Sequence, residues 1–365
     1  MRMKKLFFFA AIAAIAVSCA KTSEVNPVSE QAIGFGTWRS TLTKDPAPDP
    51  EPEPTHHSPF VTNDSFNVYG YKQAGEEKTT VFNGDVVTLG ENGSWNYTSI
   101  RFWDRTTDSY TFYAISPAGI TSEAPAQTGL FITNDIIFGG TNGDVLVAKE
   151  KQVAKAAYGL TVGLDFVPQA SLFDLKFKKA KNLQEATLAI NSVSIKKIET
   201  KGHLSVGSYD GTKKPVGTWT VATPSVKGNY DNTHGKTPVT IGPATTIAAG
   251  VGYGTQNSRF LINNLIVMPQ ALIDSGQELE ITYTVTFSGE SIQHTRTIPL
   301  NKFDDSDVNQ EAGREETAQN TGPFITSWEP GKHYTYYITI NADFITFNAT
   351  ISDWVDVEAY HYIIN

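Results

Sequence analysis

The sequence predicts an all-β protein, and three observations carry the prediction. Its 365 residues include 20 Phe, 15 Tyr, 29 Gly and 18 Pro, a composition that favours strands and turns over helices. Apolar and polar residues alternate in short runs, which puts one face of each run in a core and the other in water. Turn residues separate these runs at the spacing of sandwiches or barrels. At this length two domains are the expectation, each large enough to build its own core.

The first element is an export signal. Met1 to Lys5 form a basic segment, Leu6 to Val17 an apolar one too short to span a bilayer, and Ser18 precedes Cys19, the only cysteine. The pattern resembles a bacterial lipoprotein signal, in which the peptide is cut just before the cysteine and that residue receives lipid. The Ala16-Val17-Ser18 box departs from the commonest form, which has Leu three residues before the cysteine and Ala or Ser two before. An ordinary secretory signal with an incidental thiol is the other reading. Both export the chain and exclude a cytosolic enzyme. No second thiol exists for a disulfide, so stability must come from burial. A formal charge of -9 argues against nucleic acid or an anionic surface as partner. After the signal no apolar run approaches the roughly 18 to 20 residues of a spanning helix.

Lys21 to Glu30 is polar and reads as a tether. Ile33-Gly34-Phe35-Gly36-Thr37-Trp38 then reads as one strand, ended by Arg39 and Ser40. Pro46, Pro48, Pro50, Pro52 and Pro54 follow, alternating with Ala, Asp and Glu. Such a segment cannot pair in a sheet and favours polyproline II, a semi-rigid spacer of roughly 3 Å per residue. The strand before it is thereby isolated, and a lone strand is not stable. It must dock into a core supplied by later residues or stand idle. Docking is expected, because exposed Ile, Phe and Trp side by side would invite aggregation.

The body divides into a first unit, 59–160, and a second, 161–365. In the first, Phe66, Val68 and Tyr69-Gly70-Tyr71 mark one strand, Val86 and Val87 another, and Tyr110 to Ile115 a third, closed by Ser116-Pro117. Asn83-Gly84-Asp85 and Glu91 to Ser94 read as turns. Lys149 to Tyr158 is the one stretch that reads as helical. In the second unit, strands are expected at Leu175 and Phe177, at Val193 and Ile195, and at Ile281, Tyr283, Val285 and Phe287. Tyr336, Ile338 and Ile340 share a face, Asn341-Ala342-Asp343 turns, and Ile345, Phe347, Ala349 and Ile351 share the next face, which makes a hairpin. A last run, Val355 to Ile364, becomes apolar on both faces and suits a central or inserted strand.

Catalytic constellations are not evident. His56, His57, His203, His234, His294, His333 and His361 form no metal-ligand spacing. No Gly-x-Ser-x-Gly elbow or Walker loop occurs. Asp305, Asp307, Asn309 and Glu311 alternate oxygen ligands that could hold calcium, but without the EF-hand glycine and spacing a solvated acidic loop is the simpler reading. Trp95, Trp103, Trp219 and Trp328 could serve as sugar platforms, or as core and corner residues. The expectation is a protein that is not an enzyme and has no cofactor.

Several segments together resemble a family. Val81-Phe82, Trp95-Asn96-Tyr97, Phe102-Trp103, Tyr110 to Pro117 and Asp144 to Ala148 are similar to the N-terminal domain of the Bacteroidetes fimbrillins. Val267-Met268-Pro269-Gln270, Trp328 to Tyr336, and Ile345-Thr346-Phe347 through Asp353-Trp354 are similar to that family's C-terminal domain. Val167-Pro168-Gln169 departs from the family, where a His follows the Phe.

The resemblance implies two transthyretin-like β-sandwich domains in tandem and assembly into type V pili at the cell surface. It further implies a precursor held at the outer membrane by lipid on Cys19. An arginine-specific protease removes the first strand, and the vacated groove takes a strand from a neighbouring subunit of the same or another kind. In this sequence the displaced strand carries Ile33, Phe35 and Trp38, and the processing site is Arg39, with Lys44 a poorer candidate. An ordinary arginine at a strand end is the alternative. The candidate donor strand carries Val355, Val357, Tyr360, Tyr362 and Ile363, unless that run completes its own domain. The eleven residues after Trp354 are few for a subunit that must do both, which favours a tip or minor component supporting adhesion. An uncleaved anchor lipoprotein and a carbohydrate-binding surface lipoprotein are the rival readings, and no receptor is identified.

Overall fold

The structure, a computed structural model, describes residues 31–39, 60–123, 127–138, 144–180, 183, 185–231, 239–241, 258–273, 276–303, 324–340 and 345–353. Among them every regular element is a strand or one of two short 3-10 turns, Lys155–Ala157 and Leu300–Lys302, so the all-β expectation holds.

Eight strands make the first sheet: β1 (Phe35–Arg39), β2 (Ser65–Ala74), β3 (Glu77–Leu89), β4 (Trp95–Asn96), β5 (Ser109–Ser116), β9 (Leu146–Ala148), β10 (Lys151–Ala154) and β11 (Val162–Pro168). Their order is β1-β11-β9-β5-β2-β3-β4, with β10 paired to β5. The two ends of this order approach each other, since the Trp95 indole of β4 donates to Thr37 Oγ1 of β1 at 3.2 Å. The curl encloses an aromatic core that includes Phe35, Phe66, Phe82, Tyr110, Phe112 and Phe166.

Strand β5 lies at the centre and explains its own apolar run. Tyr110, Phe112 and Ala114 face the enclosed core, and Tyr113 and Ile115 face a second core on the opposite side. Burial on both faces removes the polar half of the alternation.

Two expectations fail in this sheet. Lys149 to Tyr158 is not helical: Lys151–Ala154 is β10, antiparallel to Phe112–Ser109 of β5, and only Lys155–Ala157 makes a 3-10 turn. Strand β9 covers β5 only at Ile115 and Ser116, leaving the Ser109–Phe112 edge open. Pairing there satisfies backbone groups that a short helix would leave unpaired. Asn83-Gly84-Asp85 is not a chain reversal either, because β3 runs through it. The register against β2 shifts between Val68 and Tyr69, opposite Asp85 and Asn83, and Gly84 takes φ of 84°. The turn chemistry is used for a β-bulge. The Glu91–Ser94 expectation holds, with Gly90 N–H donating to Ser94 O at 2.9 Å.

The second sheet packs on the outer face of the first. It contains β6 (Thr121–Glu123), β7 (Phe131–Thr133), β8 (Ile136–Ile137), β14 (Lys201–Tyr209) and β15 (Pro215–Val221), in order β15-β14-β7-β6 with β8 also on β14. Phe131, Leu204 and Val206 meet Tyr69, Tyr71, Tyr113, Ile115 and Val147 there. This sheet takes strands from both sides of residue 160.

Most of the remaining described strands form two facing sheets. One has β12 (Ser171–Lys179), β18 (Ser258–Val267), β23 (Lys332–Ile340) and β24 (Ile345–Asp353), in order β18-β12-β23-β24. The other has β13 (Thr187–Glu199), β16 (Lys227–Asp231), β17 (Val239–Ile241), β20 (Glu278–Phe287) and β21 (Glu290–Pro299), in order β16-β13-β20-β21 with β17 on β13. Phe173, Leu175, Phe177, Tyr336 and Ile338 pack against Leu188, Ile190, Val193, Ile281 and Tyr283. A short pair, β19 (Gln270–Ala271) and β22 (Ser327–Trp328), adds a bridge. The expected β23–β24 hairpin forms, with Ile340 opposite Ile345.

Candidate functional site

The segment isolated by its prolines docks. Strand β1 runs parallel to β11, with Phe35 opposite Val162 and Thr37 opposite Leu164, and its backbone pairing continues through Trp38 opposite Asp165 and Arg39 opposite Phe166. The Val162 N–H donates to Gly34 O at 2.8 Å at the start of this wall.

A second wall comes from the loop after β4. Ile33 N–H donates to Arg101 O at 2.8 Å, Trp103 N–H donates to Gln31 O at 3.0 Å, and Ala32 bridges Phe102 antiparallel. Tyr97 hydroxyl donates to Ile33 O at 2.7 Å. Burial, opposed by the Arg101 backbone amide and charge, pushes the Tyr97 phenol up, so it stays a donor at neutral pH. Arg101 ties this loop to β3: its Nε donates to Val81 O at 3.1 Å and its guanidinium lies 3.4 Å from Asp85 Oδ1 and over the Phe82 ring. The strand therefore lies in a groove with backbone partners on both sides.

The floor of the groove is aromatic. Ile33 is 1 % exposed and Phe35 6 %. Phe35 makes edge-to-face contacts with Phe66, Phe82, Tyr97 and Phe112, at centroid distances of 5.4 to 6.2 Å. Burying two such side chains is worth roughly 1.5 to 3 kcal/mol each. Beyond them Thr37 is half-buried, and its hydroxyl oxygen accepts the Trp95 indole N–H. Trp95 is itself held by Phe60 at 5.2 Å and Phe66 at 4.8 Å.

Ile33 and Phe35 thus meet in one groove, with the backbone of Trp38 and Arg39 continuing along its wall. Cys19, Lys44, Asp305, Asp307, Val355, Val357, Tyr360, Tyr362 and Ile363 lie outside the described residues. Among the described residues no group of three or more His, Cys, Asp or Glu could hold a metal ion. His203 sits 3.6 Å from Asp135, His294 stacks on Tyr283, and His333 Nε2 lies 2.9 Å from Asp174 Oδ2. Trp103 and Trp328 are buried, and Trp219 packs on Phe138 while its indole donates to Gln169 O. Sequence reasoning missed the second wall. Its signal was the polar, non-alternating stretch around Tyr97 and Arg101, which carries aromatics without a strand pattern.

Fold and groove together define a class: an all-β protein in which an N-terminal strand is lodged as an insert between two walls built by later residues. A family profile described as fimbrillin-like matches residues 55–354, and the chain belongs to that family. As a member it is a fimbrial subunit of the cell surface. Among solved structures, it is similar to a fimbrial protein from Bacteroides vulgatus, at 14% identity, covering 89% of this chain and 100% of that one with a TM-score of 0.48. It is also similar to a candidate cell adhesion protein from Bacteroides uniformis, at 14% identity, 90% and 98% coverage and a TM-score of 0.46. A third is the tip fimbrial protein Mfa3 from Porphyromonas gingivalis, at 8% identity, 80% and 95% coverage and a TM-score of 0.32. No curated protein sequence matches the chain.

Proposed function

We propose that β1 is a provisional strand and that this fimbrial subunit polymerises when it is replaced. The observation that carries this reading is the two-walled groove: Ile33 and Phe35 fill apolar pockets while the strand backbone bonds to Arg101, Trp103 and β11. Main-chain bonds of that kind hold any extended segment, and alternate side-chain pockets select among segments. Cleavage after Arg39 by an arginine-specific protease would cut the chain just beyond the last residue paired with β11.

In this reading Cys19 carries lipid that holds the precursor at the outer membrane, and lipid and strand leave together. The groove is refilled by a strand from a neighbouring subunit. The segment Val355 to Ile364 is the candidate strand that this chain gives in turn. The role is structural and not catalytic, at the tip of the fimbrium or as a minor component supporting adhesion. The sugar-platform alternative loses support, because Trp95, Trp103, Trp219 and Trp328 are all engaged by neighbouring rings or hydrogen bonds. The test is the N-terminus of the protein recovered from native cells. Ser40 is expected for an assembled subunit; a lipidated Cys19 on assembled protein would make it an uncleaved anchor.

A further inference from the structure

We infer that the groove discriminates among incoming strands through Trp95, and that it takes a strand from a different polypeptide and not from a second copy of this chain. The inference rests on the replaceable-strand reading above and adds the identity of the occupant.

Most bonds in the groove ignore sequence, since Arg101 O, Trp103 N–H and Tyr97 hydroxyl all meet main-chain atoms of 31–33. One does not. The Trp95 indole N–H donates to a side chain, Thr37 Oγ1, at 3.2 Å. A half-buried indole donor left without an acceptor is penalised. Together with the pockets of Ile33 and Phe35, this writes a pattern at alternate positions: an aliphatic residue, an aromatic ring, then a side chain with an acceptor oxygen or nitrogen. Position 36 is also constrained, because a Cβ there would meet Thr161 Cγ2 at 3.2 Å.

The candidate donor of this chain does not supply the pattern. In 355–365 the aliphatic residues at possible first positions are followed two residues later by Val357, Ala359, His361 or Asn365, never by Phe, Tyr or Trp. With Tyr360 at the aromatic position Glu358 stands where the aliphatic residue belongs, and with Tyr362 there Tyr360 takes that place and Ile364 falls where the acceptor belongs. The partner is therefore another protein whose extended segment reads aliphatic, any, aromatic, small, then Ser, Thr, Asn or Asp.

The full chain, cut with an arginine-specific protease, is challenged with labelled peptides: residues 31–39, the same peptide with Thr37→Ser or Thr37→Val, and residues 355–365. Fluorescence anisotropy should show 31–39 and its Thr37→Ser form binding alike, and Thr37→Val about three- to tenfold weaker, as one lost hydrogen bond implies. The 355–365 peptide should be weaker still. Equal binding of Thr37→Val, or of 355–365, overturns the selectivity while leaving the replaceable strand intact. If even the unaltered 31–39 peptide fails to bind, the replaceable-strand reading fails and takes this inference with it. In the uncut chain, the costs of Thr37→Val and Trp95→Phe should be non-additive in denaturant unfolding. Strict additivity also overturns the role of Trp95.

Discussion

Phe35 meets Phe82 edge to face, with ring centroids 5.4 Å apart and planes inclined at 72°. The contact joins a strand that precedes the proline-rich stretch to the centre of the first core. Phe35→Ala should therefore destabilise the intact chain by about 3 to 5 kcal/mol, the range for a large buried aromatic. Equilibrium unfolding in denaturant measures this, and a change below about 1 kcal/mol would mean that β1 contributes little to the precursor.

Processing gives a second prediction. Arg39 lies opposite Phe166 at the end of β1, and an arginine-specific protease needs that residue type there. Arg39→Ala in native cells should leave the mature N-terminus at Cys19 and remove the protein from filaments. Mass spectrometry of the envelope and filament fractions reads both. Filaments that still begin at Ser40 would place the cut under another enzyme.

Alternation made most of the fold legible. Tyr336, Ile338 and Ile340 share a buried face as their period of two requires, and β23 pairs with β24 in the expected hairpin. The misses have a common physical cause. Lys151–Ala154 became a strand because β5 offered an open edge, and Gly84 became a bulge because β2 continued past it. Both depend on what a distant strand leaves unpaired, which no local pattern records. The groove shows the same split. Ile33 and Phe35 were legible as apolar residues needing a core, whereas the wall from Tyr97 to Trp103 has no periodicity to betray it. The Asp174–His333 contact, joining neighbouring strands β12 and β23, was equally hidden by 159 residues of separation.

Glycine 70 tests how tightly the core is packed around the groove. A Cβ on Gly70 would come within 2.8 Å of Phe82 Cδ2 and 3.0 Å of Phe112 Cδ1, the rings that receive Phe35. Gly70→Ala should cost about 1 to 3 kcal/mol by overpacking. Gly34→Ala is the matched control, since nothing lies within 4 Å of its Cβ position. Equal effects in thermal unfolding would show that the crowding is relieved at no cost.

Acid should loosen the loop wall before it unfolds the protein. Lys72 Nζ on β2 lies 2.8 Å from Asp104 Oδ2, just past Trp103, and Tyr110 hydroxyl accepts the Asp104 N–H. The Lys72 hydrogen bond, helped by the hydroxyl and amide of Thr106, holds the Asp104 carboxyl well below its ordinary value of 3.8. A carboxylate depressed in the folded state contributes stability that is present above its unfolded value and is lost as pH falls through the folded one. The loss therefore begins near pH 4 and grows below it. Both side chains are about 30 % exposed, so the pair is worth no more than about 0.2 to 1 kcal/mol. That is too little to unfold the chain but enough to weaken the tie between wall and sheet. The Ile33 amide, which donates to Arg101 O, reports on it directly. Its hydrogen-exchange protection factor should fall between pH 5 and about pH 3 in the native protein, and Asp104→Asn should start lower and change less over the same interval. Identical profiles in the two proteins would uncouple the Lys72–Asp104 pair from the groove.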